Sequence, residues 1–291
     1  MDGRNGTLWI LPFYLFAAFA ALRNRWFVCG CLLATGAMFK GQLLFVGAVL
    51  CFGHCGKKDG TARCVRWQGF IATAALIASP WLLHTPAAWV ALLAVTGFSS
   101  CLFLQRKLPH RCAWISGIAG CAAFVIGAFT GGSFAWLQVG FLYGSEHYPY
   151  LVIGSCYNLP SLLSKLGWSL KDPFSSVHFG SLDFHLTLQW TLRLLYLGAL
   201  AVCADTAPRD RSSDRDPRVL IAITAPWLLM FALLGQMHER YLVWGAVVSA
   251  VALGVSLRLS IIHFIISAAS TAMIVNVMLI DKKLEATLWA D

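Results

Sequence analysis

The residue types best suited to chemistry stand together at His238, Glu239 and Arg240, inside the segment GQMHERYL at 235–242. They offer a titratable base, an acid and a bidentate anion binder side by side. The flanking runs, 219–234 and 243–257, are apolar and uncharged. Because a charged side chain in hydrocarbon costs roughly 2.5–3.5 kcal/mol on insertion scales, the triplet is expected at a membrane surface or in a water-filled cavity. A charged helix cap is the alternative interpretation.

The composition predicts the environment of these residues. Of 291 residues, 58% are hydrophobic and 12% are charged, whereas a soluble domain carries about 25% charged residues. We therefore expect a polytopic, all-α membrane protein that forms one transmembrane domain over residues 1–291, with about eight membrane segments. The first apolar run, Leu8–Leu22, is followed at once by Arg23 and Arg25 and by another apolar run, which favours a retained membrane helix over a cleaved signal peptide.

The net charge of +9 is concentrated in short connections between apolar runs. The cationic clusters are Arg23/Arg25, Lys57/Lys58/Arg63/Arg66 and Arg106/Lys107/Arg111, and a fourth connection, 204–218, alternates Asp and Arg. Short loops rich in Lys and Arg are typical of the cytoplasmic side. Because the basic excess reports topology and no aromatic residues are interleaved with it, we expect membrane lipids and no nucleic acid as partners.

The ten cysteines do not predict a disulfide framework or a metal site. Most lie in or beside apolar runs, where a free Cys behaves as a small hydrophobic residue. Cys51, His54, Cys55 and Cys64 raise the possibility of zinc, but the paired C-x-x-C spacing is absent. No metal and no cofactor are therefore expected.

The apolar runs predict the path of the chain. Besides Leu8–Leu22, the expected spans are Gly69–Leu83, Ala87–Leu104, Cys112–Thr130, Leu188–Cys203, Val219–Leu234, Leu242–Leu257 and Leu259–Ile280.

The segment Trp26–Gly53 has cationic flanks at both ends, and its 28 residues are too few for two spans of about 20 residues each. We expect two half-helices that meet at 38–42, with Lys40 and Gln42 facing a cavity. One long tilted helix, with Lys40 reaching an interface, is the alternative.

The longest non-apolar stretch, 131–185, is expected on the extracytoplasmic side, together with the 236–241 turn. It contains an acid and a base at Glu146 and His147, and many aromatic residues. A loop of this length is usually functional or disordered, and the aromatic content argues against disorder. Short helices along the membrane surface are expected, with Leu159–Leu170 as a candidate. An aromatic interfacial belt is the plainer interpretation.

Three motifs resemble those of one enzyme class. The stretch 236–242 resembles the Met-His-Glu-Arg-Tyr motif in the mannosyltransferase branch of the GT-C class of polyprenyl-phosphate-dependent glycosyltransferases. It is also similar to the His-Glu-Lys segment of the eukaryotic glucosyltransferases that complete the lipid-linked N-glycan precursor. The stretch 36–42 looks like the Lys-x-Gln helix break of the bacterial enzymes, and Tyr157–Asn158–Leu159–Pro160 resembles their Asn-Leu-Trp type loop motif.

The resemblance implies transfer of a hexose from a polyprenyl-phosphate sugar at the extracytoplasmic face of a bacterial plasma membrane. Arg240 would clamp the phosphate, and His238 would donate a further bond to phosphate or sugar. Glu239 would be the general base or would hold Arg240, and Glu146 is a second candidate acid.

The remaining substrate-binding candidates are Lys40, Gln42, His147, Tyr157, Asn158 and Tyr241. The family's catalytic carboxylate lies in its first extracytoplasmic loop, which this chain does not match. We therefore expect a fragment, a misplaced start or an inactive descendant that lacks the family's first spans.

Two other classes fit the same composition. A broken helix with a buried lysine is also found in secondary transporters and lipid flippases, although those usually show two related halves, which this sequence does not show. A non-catalytic membrane scaffold is the third interpretation.

Overall fold

The computed structural model describes residues 10–52, 60–83, 85–104, 109–138, 156–179, 182–206, 217–235, 237–238 and 240–281, which are mostly helical. The chain divides into two compact units. The first comprises Met1–Tyr148 and Pro208–Asp214, and the second comprises Pro149–Ala207 and Arg215–Asp291.

The helices of the first unit follow the predicted apolar runs within a few residues, with two exceptions: α4 begins well before Gly69, and the short α7 lies in the predicted 131–185 loop. They are α1 (Ile10–Leu22), α2 (Trp26–Phe39), α3 (Gln42–Phe52), α4 (Gly60–Leu82), α5 (Pro86–Leu104), α6 (Pro109–Phe129) and the single turn α7 (Ala135–Leu137). Both α5 and α6 begin at a proline, which suits a first helical position because its missing N–H would have no partner there. The turn between α1 and α2 places Asn24 at φ 58°, a left-handed conformation that asparagine tolerates better than most residues.

Helices α2 and α4 pack through glycine. A methyl group at Gly30 would overlap the carbonyl oxygen of Arg66 and lie 2.9 Å from the backbone nitrogen of Phe70. One at Gly69 would overlap the carbonyl oxygen of Phe27. The two backbones therefore touch at two reciprocal points, a close approach that small residues allow in membrane helix pairs.

Lys40 and Gly41 interrupt the helix as predicted. Helix α2 ends at Phe39, and Lys40 is extended, with φ −156° and ψ 111°. The Leu43 N–H then donates to the Lys40 carbonyl (3.0 Å), which opens the first turn of α3. The alternative of one continuous helix over Trp26–Gly53 is therefore wrong.

The second unit contains α8 (Leu159–Lys165), β1 (Pro173–Phe179), β2 (Leu182–Thr187), α9 (Leu188–Thr206), α10 (Pro217–Leu233), α11 (Arg240–Ser249), a 3-10 turn (Ala250–Ala252) and α12 (Leu257–Asp281). Its core includes Trp227 and Trp244, each 1% exposed, whose rings meet edge-on at 5.4 Å.

The strands correct the expectation of an all-α chain. They form an antiparallel hairpin in which Val177 pairs with Phe184 and His178 with Asp183. The stretch 182–186 alternates apolar and polar residues, and this period of two is the signal of a strand. This alternation was missed in the sequence because the surrounding aromatic residues indicated an interfacial loop.

The predicted span Leu242–Leu257 is also wrong as a continuous helix. Helix α11 ends at Ser249, and Gly254 adopts φ 76° after the 3-10 turn. Ten helical residues cover about 15 Å, roughly half of the hydrocarbon thickness.

Among the residues that the structure describes, two helices are long and apolar enough to cross a membrane, Arg111–Phe129 and Leu257–Ile280. Shorter apolar helices lie at Ile10–Leu22, Trp26–Phe39, Ala88–Gly97, Arg218–Leu233 and Tyr241–Ala252. The number of about eight spans stays a prediction.

Candidate functional site

Asn158 begins helix α8. Its backbone is extended (φ −122°, ψ 176°), and its side-chain Oδ1 accepts a hydrogen bond from the Ser161 N–H at 3.1 Å. Asparagine is among the best N-cap residues, and a proline in the first turn, here Pro160, has no N–H that needs a partner. The sequence Asn-Leu-Pro-Ser therefore determines locally where α8 starts.

The same side chain connects α8 to the end of α10. Asn158 Nδ2 donates to the carbonyl oxygens of Phe231 (3.0 Å) and Leu234 (2.9 Å). The last carbonyls of a helix lack partners within it, and the buried amide supplies them here. Asn158 thereby holds the chain three residues before Met237, where the Met-His-Glu-Arg-Tyr segment begins.

That segment continues as the first turn of α11. The Tyr241 N–H donates to the His238 carbonyl (3.0 Å), and the rings of these two residues lie 6.1 Å apart. The Tyr241 ring is buried and meets Trp244 edge-on at 4.6 Å, while Met237 is also buried. Tyr241 and Met237 thus anchor the segment in the core, whereas His238 is half-buried.

Tyr157 is the candidate for stacking on a sugar. Its side chain is 46% exposed, and Lys165 Nζ lies 4.9 Å from the ring centroid. A cation over the face of an aromatic ring is attracted by the ring quadrupole. Tyr157 and Lys165 thus form an exposed pair, and Tyr157 directly precedes the Asn158 cap.

Lys40 and Gln42 belong to the first unit, and both side chains are half-buried. Phe39, beside them, is 66% exposed and stacks on Phe13 at 5.8 Å. The cavity that the sequence predicts for Lys40 and Gln42 stays a prediction.

The structure thus joins Asn158 to the end of α10, and His238 and Tyr241 follow that helix end in the chain. It assigns Asn158 a positioning role through three hydrogen bonds, so direct contact with substrate stays a prediction. Glu146, His147 and Glu239 lie outside the described residues, and Arg240 is described as the first residue of α11.

Sequence reasoning missed a polar contact inside the second unit. Ser249 Oγ donates to the Ala246 carbonyl and lies 2.8 Å from His263 Nδ1, while Ser267 Oγ lies 3.5 Å from His263 Nε2. Ser249 is 3% exposed. The signal in the sequence was a histidine within an apolar span, since such residues there are rare and usually paired.

Comparison with protein-family models, with curated proteins and with solved structures found no match.

Proposed function

We propose that the chain is a multi-pass integral membrane protein of a bacterial plasma membrane. The support comes from α12, whose large exposed side chains are mostly apolar and whose two buried side chains are polar. Phe264, Ile265 and Met278 are 58–65% exposed, whereas Ser270 and Asn276 are 3% and 6% exposed. A helix in water shows the opposite arrangement, so lipid is the solvent that suits this surface.

Within that membrane we propose a glycosyltransferase that moves a hexose from a polyprenyl-phosphate sugar to an acceptor on the extracytoplasmic side. The observation that carries this proposal is the Asn158 bridge. Two motifs that resemble the same enzyme class lie about 75 residues apart in sequence, and the amide of the first holds the helix end that leads into the second.

The reaction breaks the bond between the anomeric carbon and the phosphate oxygen and forms one from that carbon to the acceptor oxygen. The acceptor proton passes to a carboxylate, for which Glu239 and Glu146 are the candidates. The polyprenyl phosphate leaves with a negative charge, which a guanidinium at Arg240 is suited to bind through two parallel N–H groups. His238 would donate one further bond, and Tyr157 would stack on the sugar.

Arg240→Lys in the full gene product, reconstituted in vesicles, is expected to lower the rate of transfer from a radiolabelled polyprenyl-phosphate hexose by about tenfold or more, or roughly 1.4 kcal/mol. Lysine keeps the charge but loses the planar fork. His238→Ala is expected to cost about 1–3 kcal/mol if one bond to a charged group is lost.

Arg258→Lys is the matched control, because Arg258 is an exposed arginine near the start of α12. This variant should transfer sugar at the parental rate. If Arg240→Lys and His238→Ala both transfer sugar at the parental rate, the segment is only a charged helix cap and the proposed function is wrong. Movement of the labelled lipid across the bilayer without sugar transfer would instead identify a flippase.

A further inference from the structure

Helix α8 exposes leucines and buries a serine and a proline, which is the opposite of the arrangement expected for a helix in water. Leu159, Leu162 and Leu166, at its outer face and end, are 36%, 54% and 66% exposed. On the other side, Pro160 is fully buried and Ser161 is only 9% exposed. The leucines fall on one face because residues three and four apart are neighbours on a helix.

This orientation is imposed from both ends. Asn158 fastens the beginning of α8 to the carbonyls of Phe231 and Leu234 at the end of α10. Beyond α8, the Gln189 N–H at the start of α9 donates to the Leu170 carbonyl (3.1 Å). Segment 158–170 is therefore tied at its beginning to the end of α10 and at its end to the start of α9.

The side chains around the leucines have the composition of a membrane boundary. Trp168 and Phe174 are 62% and 61% exposed, and Lys165 and Lys171 are also exposed. Tryptophan is enriched at the level of lipid headgroups, and lysine extends its apolar stem along lipid while its ammonium stays at the surface. The apolar surface continues onto the first turns of α9, where Trp190 and Leu194 are 44% and 53% exposed.

We propose that Leu159, Leu162, Leu166 and Trp168, named here the α8 patch, insert into the boundary between headgroups and acyl chains of the bilayer. Lys165 and Lys171 then face the lipid phosphates. The inference rests on the proposed membrane location and not on sugar transfer. A failure to transfer sugar would therefore not contradict it.

Depth-dependent quenching tests the patch in the full chain. Because the protein has 12 tryptophans, intrinsic fluorescence cannot report on one position. A fluorescent amino acid is therefore introduced by stop-codon suppression at 162 or 166, and the protein is reconstituted in phosphatidylcholine vesicles with phosphatidylglycerol. We expect strong quenching by a lipid that carries a nitroxide high on its acyl chain, and little quenching by aqueous iodide.

Asp172 provides the matched control, because it is an exposed acid a few residues beyond the patch. The same probe at 172 should be quenched by iodide several-fold more than at 162 or 166. Equal iodide quenching at all three positions would show a water-exposed patch and overturn the proposal. Protection from both quenchers at 162 and 166 would also overturn it, since a protein surface and not lipid would then cover the leucines.

Discussion

Asn158→Asp is expected to lower the free energy of unfolding of the purified protein by about 2–4 kcal/mol, seen as a drop in melting temperature of roughly 5–15 °C in detergent. The aspartate keeps the oxygen that accepts from Ser161 N–H. It loses the Nδ2 donor, however, and turns a second oxygen towards the carbonyls of Phe231 and Leu234. The buried Phe231 carbonyl and the half-buried Leu234 carbonyl lose this donor, and a carboxylate beside them is repelled.

This substitution separates two roles of one side chain. Aspartate caps helices as well as asparagine does, so an Asn158 that served α8 alone would tolerate the change. Asn158→Ala, which removes both roles, should also destabilise. Ser169→Ala is the control, since exposed Ser169 accepts a local bond from the Asp172 N–H and surface changes usually stay within about 0.5 kcal/mol. A parental melting curve for Asn158→Asp would refute the bridge.

Gly30→Ala is expected to destabilise the first unit by about 1–3 kcal/mol or more. The added methyl group would overlap the Arg66 carbonyl oxygen, so α2 and α4 must separate, on the order of 1 Å, to restore an ordinary C···O distance of about 3.3 Å. The separation also loosens the reciprocal contact at Gly69. Thermal unfolding, followed by size-exclusion chromatography of heated samples, measures the effect.

Gly97→Ala is the matched control in the same unit. Gly97 lies inside α5, and its added methyl group would meet nothing within 4 Å. Alanine is favoured over glycine in a helix by about 1 kcal/mol, so this variant should be as stable as the parent or slightly more so. If Gly30→Ala and Gly97→Ala have the same melting temperature, the backbones of α2 and α4 are not in contact at Gly30.

The Ser249–His263 contact is one polar link between the end of α11 and α12, a helix whose surface is largely exposed. The hydrogen bond at 2.8 Å joins half-buried His263 of α12 to buried Ser249 at the end of α11. In hydrocarbon such bonds are worth about 0.6–2 kcal/mol.

Most helices could be located from the sequence because uninterrupted apolar runs, with prolines and charged residues at their ends, are local properties. The break at Lys40 was predictable for a related reason, since the length of 26–53 and its cationic flanks exclude two complete spans. The hairpin and the end of α11 were missed. A period of two over five residues is a weak signal beside many aromatic residues, and the left-handed turn at Gly254 interrupts an apolar run that has no other mark.

The sequence by itself determined the helical class, the apolar surface and the residue types of the candidate site. Each depends on composition or on spacing within a few residues. The tertiary structure alone decided that Asn158 bridges to the carbonyls of Phe231 and Leu234, that Gly30 touches Arg66, and that α8 turns its leucines outward. These contacts join residues far apart in the chain, and their energies arise from desolvated backbone groups whose partners local sequence cannot specify.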